Sequence, residues 1–136
     1  MLSSCTVVGN LAVDSGGNIQ CFWGGTMASM VNSIVRGGGP DQIDVANGVL
    51  DVRWTNVEGG WPGEGNIDAD PLFRSYRGFD YLLAPGSPSI DTGDPTIEDG
   101  IWDRHPRWPR WYPNGARSDM GAYGGPENAG WLAERP

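Results

Sequence analysis

The sequence predicts an all-β fold in which the chain winds as a solenoid of short strands, and three observations carry that expectation. A five-residue pattern of small residue, any residue, valine, any residue and glycine occurs as Cys5-Thr6-Val7-Val8-Gly9, Ser33-Ile34-Val35-Arg36-Gly37 and Thr55-Asn56-Val57-Glu58-Gly59. The starts lie 28 and then 22 residues apart. That period is too long for a heptad and too short for a domain, which fits one supersecondary unit copied along an axis. A second series keeps a similar period, since the apolar pairs Ile19 with Cys21 and Ile43 with Val45 are 24 residues apart. Finally, few windows carry apolar residues at helical spacing, and 22 glycines and 11 prolines interrupt most stretches long enough for a helix.

Taken in chain order, Thr6-Val7-Val8 reads as the first strand and Asn18-Ile19-Gln20-Cys21-Phe22 as the next, with Gly16-Gly17 turning the chain between them. Ser33 to Gly37 repeats the first strand. Gly37-Gly38-Gly39-Pro40 makes the following turn, and Gln42-Ile43-Asp44-Val45 repeats the second strand. Leu50-Asp51-Val52-Arg53-Trp54 alternates buried and exposed positions before the last copy of the pattern. Strands stacked in this way form parallel sheets rising about 4.8 Å per turn, so equivalent residues form ladders. Val7, Val35 and Val57 are expected in one interior column, Ile19 beside Ile43, and Met30 beside Val52. Each buried aliphatic side chain contributes roughly 1.5 to 3 kcal/mol before conformational entropy is charged, so about three coils form a marginal core that needs further packing.

From Trp61 onward the repeat fades and proline, aspartate and tryptophan take over. A structureless segment of this length does not suit a compact domain. Strands at Tyr81–Leu83 and Ser89–Asp91 are expected there, followed by a fold over the last coil, because terminal solenoid repeats are atypical. The chain therefore divides into coils over residues 1–60 and, within the same domain, irregular last strands and a capping region over residues 61–136.

Charge and composition exclude several function classes. The net charge is −8, and all nine basic residues are arginine. A nucleic-acid partner needs a positive surface to displace counterions from phosphates, and this chain would repel that backbone. No apolar run approaches the roughly 20 residues that span a bilayer, and no export signal is visible at the start. Leu2-Ser3-Ser4-Cys5 fits a lipoprotein cleavage box, but only Met1 precedes it, so Cys5 is read as the small first residue of the repeat, equivalent to Ser33 and Thr55.

An ordered set of segments carries a resemblance. These are Val31-Asn32-Ser33-Ile34-Val35, Gly65-Asn66-Ile67-Asp68-Ala69-Asp70-Pro71-Leu72-Phe73, Asp80-Tyr81-Leu82-Leu83, Pro85-Gly86-Ser87-Pro88-Ser89-Ile90-Asp91-Thr92-Gly93-Asp94 and Asp119-Met120-Gly121-Ala122-Tyr123. The chain resembles the C-terminal end of bacterial right-handed parallel β-helix repeat proteins, pectin-lyase-like in shape, including those with a choice-of-anchor Q domain. The resemblance implies a right-handed parallel β-helix of about three coils plus an irregular C-terminal cap, and an exported protein at the cell surface or outside the cell. It also implies further coils upstream, so missing N-terminal coils or a partner chain are expected to cover the first coil, whose open strand edges are an aggregation hazard. It does not fix an activity, because one fold hosts many functions.

Four groups of residues are candidates for chemistry. Asp68, Asp70, Asp91, Asp94, Asp99, Asp103 and Asp119 enrich the second half in carboxylates, and calcium, which takes six to eight oxygens, is the one cofactor they suit. Their spacing matches no EF-hand loop, and Asp-Pro and Asp-Thr-Gly-Asp are ordinary turn chemistry, so turns are preferred and no metal ligand is assigned. The densest aromatic stretch runs from Trp102 to Pro113, with arginines between the rings. Trp61, Trp108, Trp111 and Tyr112 are the candidates for glycan contact, through stacking on sugar faces and arginine pairing with uronates. Arginine packed on tryptophan inside a proline-stiffened cap is the competing and preferred explanation of the stretch. Trp61 stands apart, held between Gly59-Gly60 and Pro62-Gly63.

His105 is the only histidine, so no multi-histidine zinc site exists, and no Gly-x-Ser-x-Gly elbow supplies a nucleophile. No catalytic residue is assigned. Cys5 and Cys21 permit a single disulfide; the pairing is left open, with the reduced, buried form favoured. The expected function is a non-catalytic structural or adhesive module contacting polysaccharide. The alternative is the remnant of a polysaccharide-active lyase or hydrolase, for which paired carboxyls would be needed.

Overall fold

A computed structural model describes residues 1–22, 25, 27–39, 41–76, 78–100 and 115–128. The described chain is all-β and without helix, and most of its strands pair in parallel. Three sheets are filled in rotation. The first holds β1 (Leu2–Ser3), β4 (Met27–Val31) and β7 (Val49–Arg53); the second β2 (Thr6–Val8), β5 (Ile34–Arg36) and β8 (Asn56–Val57); the third β3 (Ile19–Cys21) and β6 (Ile43–Val45). Strands β1 to β3 make a first tier, β4 to β6 a second, and β7 with β8 a third.

The register matches the expected ladders. Val7 pairs with Val35 and Val35 with Val57, Ile19 with Ile43, and Met30 with Val52. Met30, Val35, Ile43, Val52 and Val57 form one buried cluster, joined by the half-buried Ile19, Val45, Leu50 and Trp61. Strand β5 is buried on both faces: Val35 belongs to this cluster, whereas its neighbour Ile34 packs with Leu82, Leu83 and Met120 in a second one. The second core supplies the additional packing that three tiers of aliphatics lack.

The corner between the first and second sheets shows why the repeat begins with a small residue. Ser4, Asn32 and Trp54, which precede the pattern, all have left-handed backbones (φ 49, 51 and 48°) and turn the chain from one sheet into the next. The small residue then ties each tier to its neighbour. Cys5 N–H donates to Ser33 Oγ (3.2 Å), Ser33 N–H to Thr55 Oγ1 (3.4 Å) and Thr55 N–H to Asn66 Oδ1 (3.0 Å). The side chains of Cys5, Ser33 and Thr55 donate in turn to the carbonyls of Ser3, Val31 and Arg53, two residues back (3.2, 2.9 and 2.9 Å). Only a short polar side chain reaches both partners, so backbone groups at a turn that would otherwise stay unpaired are satisfied.

In the second half the structure departs from the expected strands. Tyr81–Leu83 belongs to β10 (Phe79–Leu83), which pairs antiparallel with β9 (Phe73–Tyr76), a strand the sequence reading did not include. Ser89–Asp91 is a turn, not a strand. Ser89 N–H bonds to Ser87 Oγ (3.2 Å) and Asp91 N–H to Asp119 Oδ1 (2.7 Å), so one local and one distant side chain take the amides that a ladder would have used.

Residues 61–69 lie on the third tier, where Ile67 pairs with Asn56 and Val57 N–H donates to the Ile67 carbonyl (2.9 Å). Residues 87–100 and 115–125 instead run along the tiers. Ser89 Oγ accepts from Asn56 Nδ2 (2.9 Å), Asp94 N–H donates to Asn32 Oδ1 (2.6 Å), and Ala122 N–H donates to Thr6 Oγ1 (2.9 Å). Together these residues touch the third, second and first tiers, a placement beyond the cap expected over the last coil alone.

Candidate functional site

The outward positions of the repeated pattern define the most prominent surface. Because valine at the third position points inward, the fourth position faces out, and there Val8 pairs with Arg36 while Arg36 meets Glu58 of the next tier (3.9 Å). Arg36 is held further by Asp68 Oδ1 (3.3 Å), Asn56 Oδ1 (3.2 Å) and the Ala69 carbonyl (3.0 Å). Glu58 Oε2 accepts from Gly37 N–H (2.7 Å) and Gln42 Nε2 (3.2 Å). Gln42 in turn clasps Gly38, donating to its carbonyl (2.6 Å) and accepting from its N–H (3.0 Å). This network fixes the glycine-rich turns that follow β5 and β8.

Two concave surfaces meet at Gly37 and Glu58. One, of about 710 Å³, is lined by Asp41, Gln42, Glu58 and Trp61 among others. The other, of about 290 Å³, is lined by Arg36, Glu58, Asp70, Phe73 and Tyr81. Sharing those residues, they join as one furrow, with Trp61 in the lining of the first part and Phe73 and Tyr81 in that of the second. Trp61 is half-buried, its ring packed on the core cluster and its remaining surface facing the cavity. Tyr81 is more open, 47% exposed, and its ring meets Phe73 edge-on with centroids 5.3 Å apart. Its backbone is left-handed (φ 63°) beside a register shift in the β9–β10 pair. A bulky residue rarely adopts that conformation, and the bulge re-aims the ring.

The furrow is acidic. Among the described residues, Asp41, Glu58 and Asp70 line it against one cation, Arg36, which already has carboxylate and amide partners. Those residues offer acceptors for hydroxyls and aromatic faces, and no free guanidinium for an anionic ligand.

Of the residues proposed for glycan contact, the structure places Trp61 on this furrow. Trp108, Trp111 and Tyr112 lie outside the described residues, as do Asp103 and His105. Tyr81, Phe73, Arg36 and Glu58 were missed. The opposite charges at the fourth position of consecutive repeats were readable in the sequence; the ring of Tyr81 depends on a bulge that no pattern announced. The stacking of arginine on tryptophan expected within residues 102–113 also lies outside the described residues; elsewhere, the Arg117 guanidinium lies 5.1 Å from the Trp54 ring.

Several of the described aspartates accept from backbone amides, and Asp70 and Asp94 close local turns in this way. Asp70 accepts from Leu72 N–H (2.9 Å), Asp91 from Gly115 N–H (2.9 Å), and Asp94 from both Thr96 N–H (2.8 Å) and Thr96 Oγ1 (2.7 Å). The bonds from Thr96 hold the Asp94 carboxyl below its ordinary range. Asp51 is likewise lowered, chiefly by its hydrogen bonds from Arg53, through Nε (3.1 and 3.0 Å) and Nη2. Among the described residues no three histidine, cysteine or carboxylate side chains converge on a point that would hold a metal. Cys5 and Cys21 are both free thiols and half-buried. No described helix is long and apolar enough to cross a membrane.

Compared with known proteins, the chain matches no family model, no curated protein and no solved structure.

Proposed function

We propose that this chain is a length of right-handed parallel β-helix serving as a non-catalytic structural or adhesive module at a bacterial surface, with the furrow lined by Trp61 and Tyr81 contacting neutral glycans. The observation that carries the architecture is the rotation of strands through three sheets in constant register, with Val7, Val35 and Val57 in one column. Surface location and bacterial origin rest on the ordered motifs and their resemblance alone. The glycan reading is supported by two aromatic side chains lining a polar furrow, where rings cover the apolar faces of sugars and carboxylates accept from hydroxyls. The preference for neutral sugars follows from charge. Among the described residues, three carboxylates against one engaged arginine would repel a polyuronate.

The test is a polysaccharide array holding neutral and polyuronate ligands, probed with the wild type, Trp61→Ala and Tyr81→Asn, the asparagine chosen because it tolerates a left-handed backbone. Binding to neutral polysaccharide is expected to weaken about tenfold in Tyr81→Asn, the scale of one lost stacking contact. A flat array, or binding confined to polyuronates, removes the furrow as a glycan site. Release of reducing or unsaturated sugar ends on incubation would replace the module by the enzyme alternative.

A further inference from the structure

The pair Asn-Gly occurs at Asn47-Gly48 and again at Asn114-Gly115. In such a pair the backbone nitrogen of the glycine can attack the asparagine side chain, because glycine has no Cβ to block the approach or restrict the backbone. The fold treats the two copies differently. Residues 46–48 form an exposed bend between β6 and β7. Among the described residues, neither the Asn47 side chain nor the Gly48 N–H has a hydrogen-bond partner. The Gly115 N–H instead donates to Asp91 Oδ1 (2.9 Å), and a Cβ built on Gly115 would run into that carboxylate, so the two groups lie tight against each other. Other described asparagines are held or buried and precede residues with side chains. Asn18 Nδ2 donates to the Arg36 carbonyl (2.9 Å) and Asn66 Nδ2 to the Val52 carbonyl (2.9 Å), while Asn32 and Asn56 are fully buried.

We propose that Asn47 is a self-modification site that converts with time to aspartate and β-linked aspartate, while the hydrogen bond at Gly115 protects the identical pair at Asn114. The Gly48 nitrogen gives its proton to water and bonds to Cγ of Asn47; the Cγ–Nδ2 bond breaks, and the side-chain nitrogen leaves as ammonia. A cyclic imide remains, and water opens it. Cleavage between the Gly48 nitrogen and Cγ leaves an ordinary aspartate, whereas cleavage between that nitrogen and the Asn47 carbonyl carbon leaves the chain running through Cγ. Water is the co-reactant, and nothing is oxidised or reduced. Either product adds a carboxylate to a chain of net charge −8. The β-linked one also lengthens the backbone at the entry to β7, where Val49 pairs with the exposed Met27. At Gly115 the same attack must first break the bond to Asp91, whose negative charge also disfavours loss of the N–H proton.

The experiment is peptide mapping by mass spectrometry on the full chain aged at mildly alkaline pH, both folded and in urea, with ammonia release measured alongside. In urea the two pairs are expected to react at similar rates, since both glycine amides are then free. In the folded chain Asn47 keeps most of that rate, whereas Asn114 slows by about tenfold or more, the scale of breaking one hydrogen bond to a carboxylate before reaction. Asp91→Gly removes the acceptor and tolerates the left-handed backbone at that position (φ 52°), so it is expected to return Asn114 towards its rate in urea. Gly48→Ala is expected to slow the loss at Asn47 and leave Asn114 unchanged. Equal rates at the two sites in the folded chain overturn the proposal, as does an Asn47 that survives in the folded chain while it reacts in urea. The ratio of the two rates in the wild type, folded against urea, decides the matter even if Asp91→Gly does not fold.

Discussion

The tiers of residues 1–60 and the flank of residues 61–128 are built by different means. In the tiers, backbone pairing in register supplies the order, and small aliphatic side chains fill the interior. In the flank, backbone pairing is confined to short pieces, β9 with β10 and Gly93, Ile97 and Asp99 with Ala116 and Ser118, and individual side chains bonded to distant groups tie these together: Asn32 to Asp94, Asn56 to Ala69 and Ser89, Asp119 to Asp91 and Asn128 to Gly100. A repeated structure can lose one rung of hydrophobic contact and keep its register, whereas a clasp made by one amide has no substitute.

The sharpest way to break this comparison is to remove one member of each kind. Asn56 is fully buried; its Nδ2 donates to the Ala69 carbonyl (2.8 Å) and Ser89 Oγ (2.9 Å), and its Oδ1 accepts from Ala69 N–H (3.2 Å) and Arg36 (3.2 Å). Asn56→Ala leaves several buried groups without partners and is expected to cost about 3 to 4 kcal/mol. Val35→Ala, in the middle of the valine column, is expected to cost about 2 to 3 kcal/mol from lost burial and the cavity left behind. Urea unfolding of both variants decides it. If Val35→Ala proves much the costlier, the flank is an ornament on the tiers and the clasp account is wrong.

The same division explains what was legible in the sequence. The columns of Val7, Val35 and Val57, of Ile19 with Ile43, and of Met30 with Val52 follow from periodicity, because each tier must solve the same packing problem with the same residue type. The clasps follow from no period. Ser89–Asp91 resembles a short strand in composition, but Ser87 and Asp119 lie within reach of its amides and hold it as a turn. Strand β9 was hidden because Phe73-Arg74-Ser75-Tyr76 has polar residues at its centre, and its pairing depends on the turn at Gly78 (φ 82°). The furrow was half legible. The charges at Arg36 and Glu58 sit in the repeat itself, whereas Tyr81 reaches the same surface through a bulge set by tertiary packing.

Glycines carry the comparison to a smaller scale. Gly59 closes the last copy of the pattern at φ 83°, and a Cβ there would meet nothing within 4 Å. Gly59→Ala therefore costs only the left-handed backbone, about 1 kcal/mol. Gly121, in the flank, has φ 104°, and a Cβ there would lie 2.9 Å from Ile34 Cδ1 and 3.0 Å from Thr6 Oγ1. Gly121→Ala is expected to exceed Gly59→Ala by about 1 kcal/mol or more, since the flank must also move off β2 and β5. Equal thermal shifts for the two variants would mean that Ile34 and Thr6 yield freely and that this contact is loose.

The smallest effect expected is electrostatic and separates the flank from the tiers by pH. Asp94 is held below the ordinary aspartate range, first by the Thr96 hydroxyl, then by the Thr96 N–H, with Arg53 and Arg117 adding attraction. A group whose folded pKa is depressed contributes stability that is present above the unfolded value, about 3.9, and is lost as pH falls through the lower folded value. Asp94 is a half-buried surface residue, so water and salt screen much of that contribution. Thermal melts of the wild type and Asp94→Asn are expected to differ slightly at neutral pH and to converge as the pH falls below the ordinary aspartate range and the wild-type carboxyl takes up its proton. The turn leads directly into the clasp, because the Asp94 N–H is the donor to buried Asn32, so the neutral-pH loss is expected to come with faster amide exchange at Asp94 and little change at Val35. A difference that persists unchanged into acid would mean that the side chain acts through its shape and not its charge.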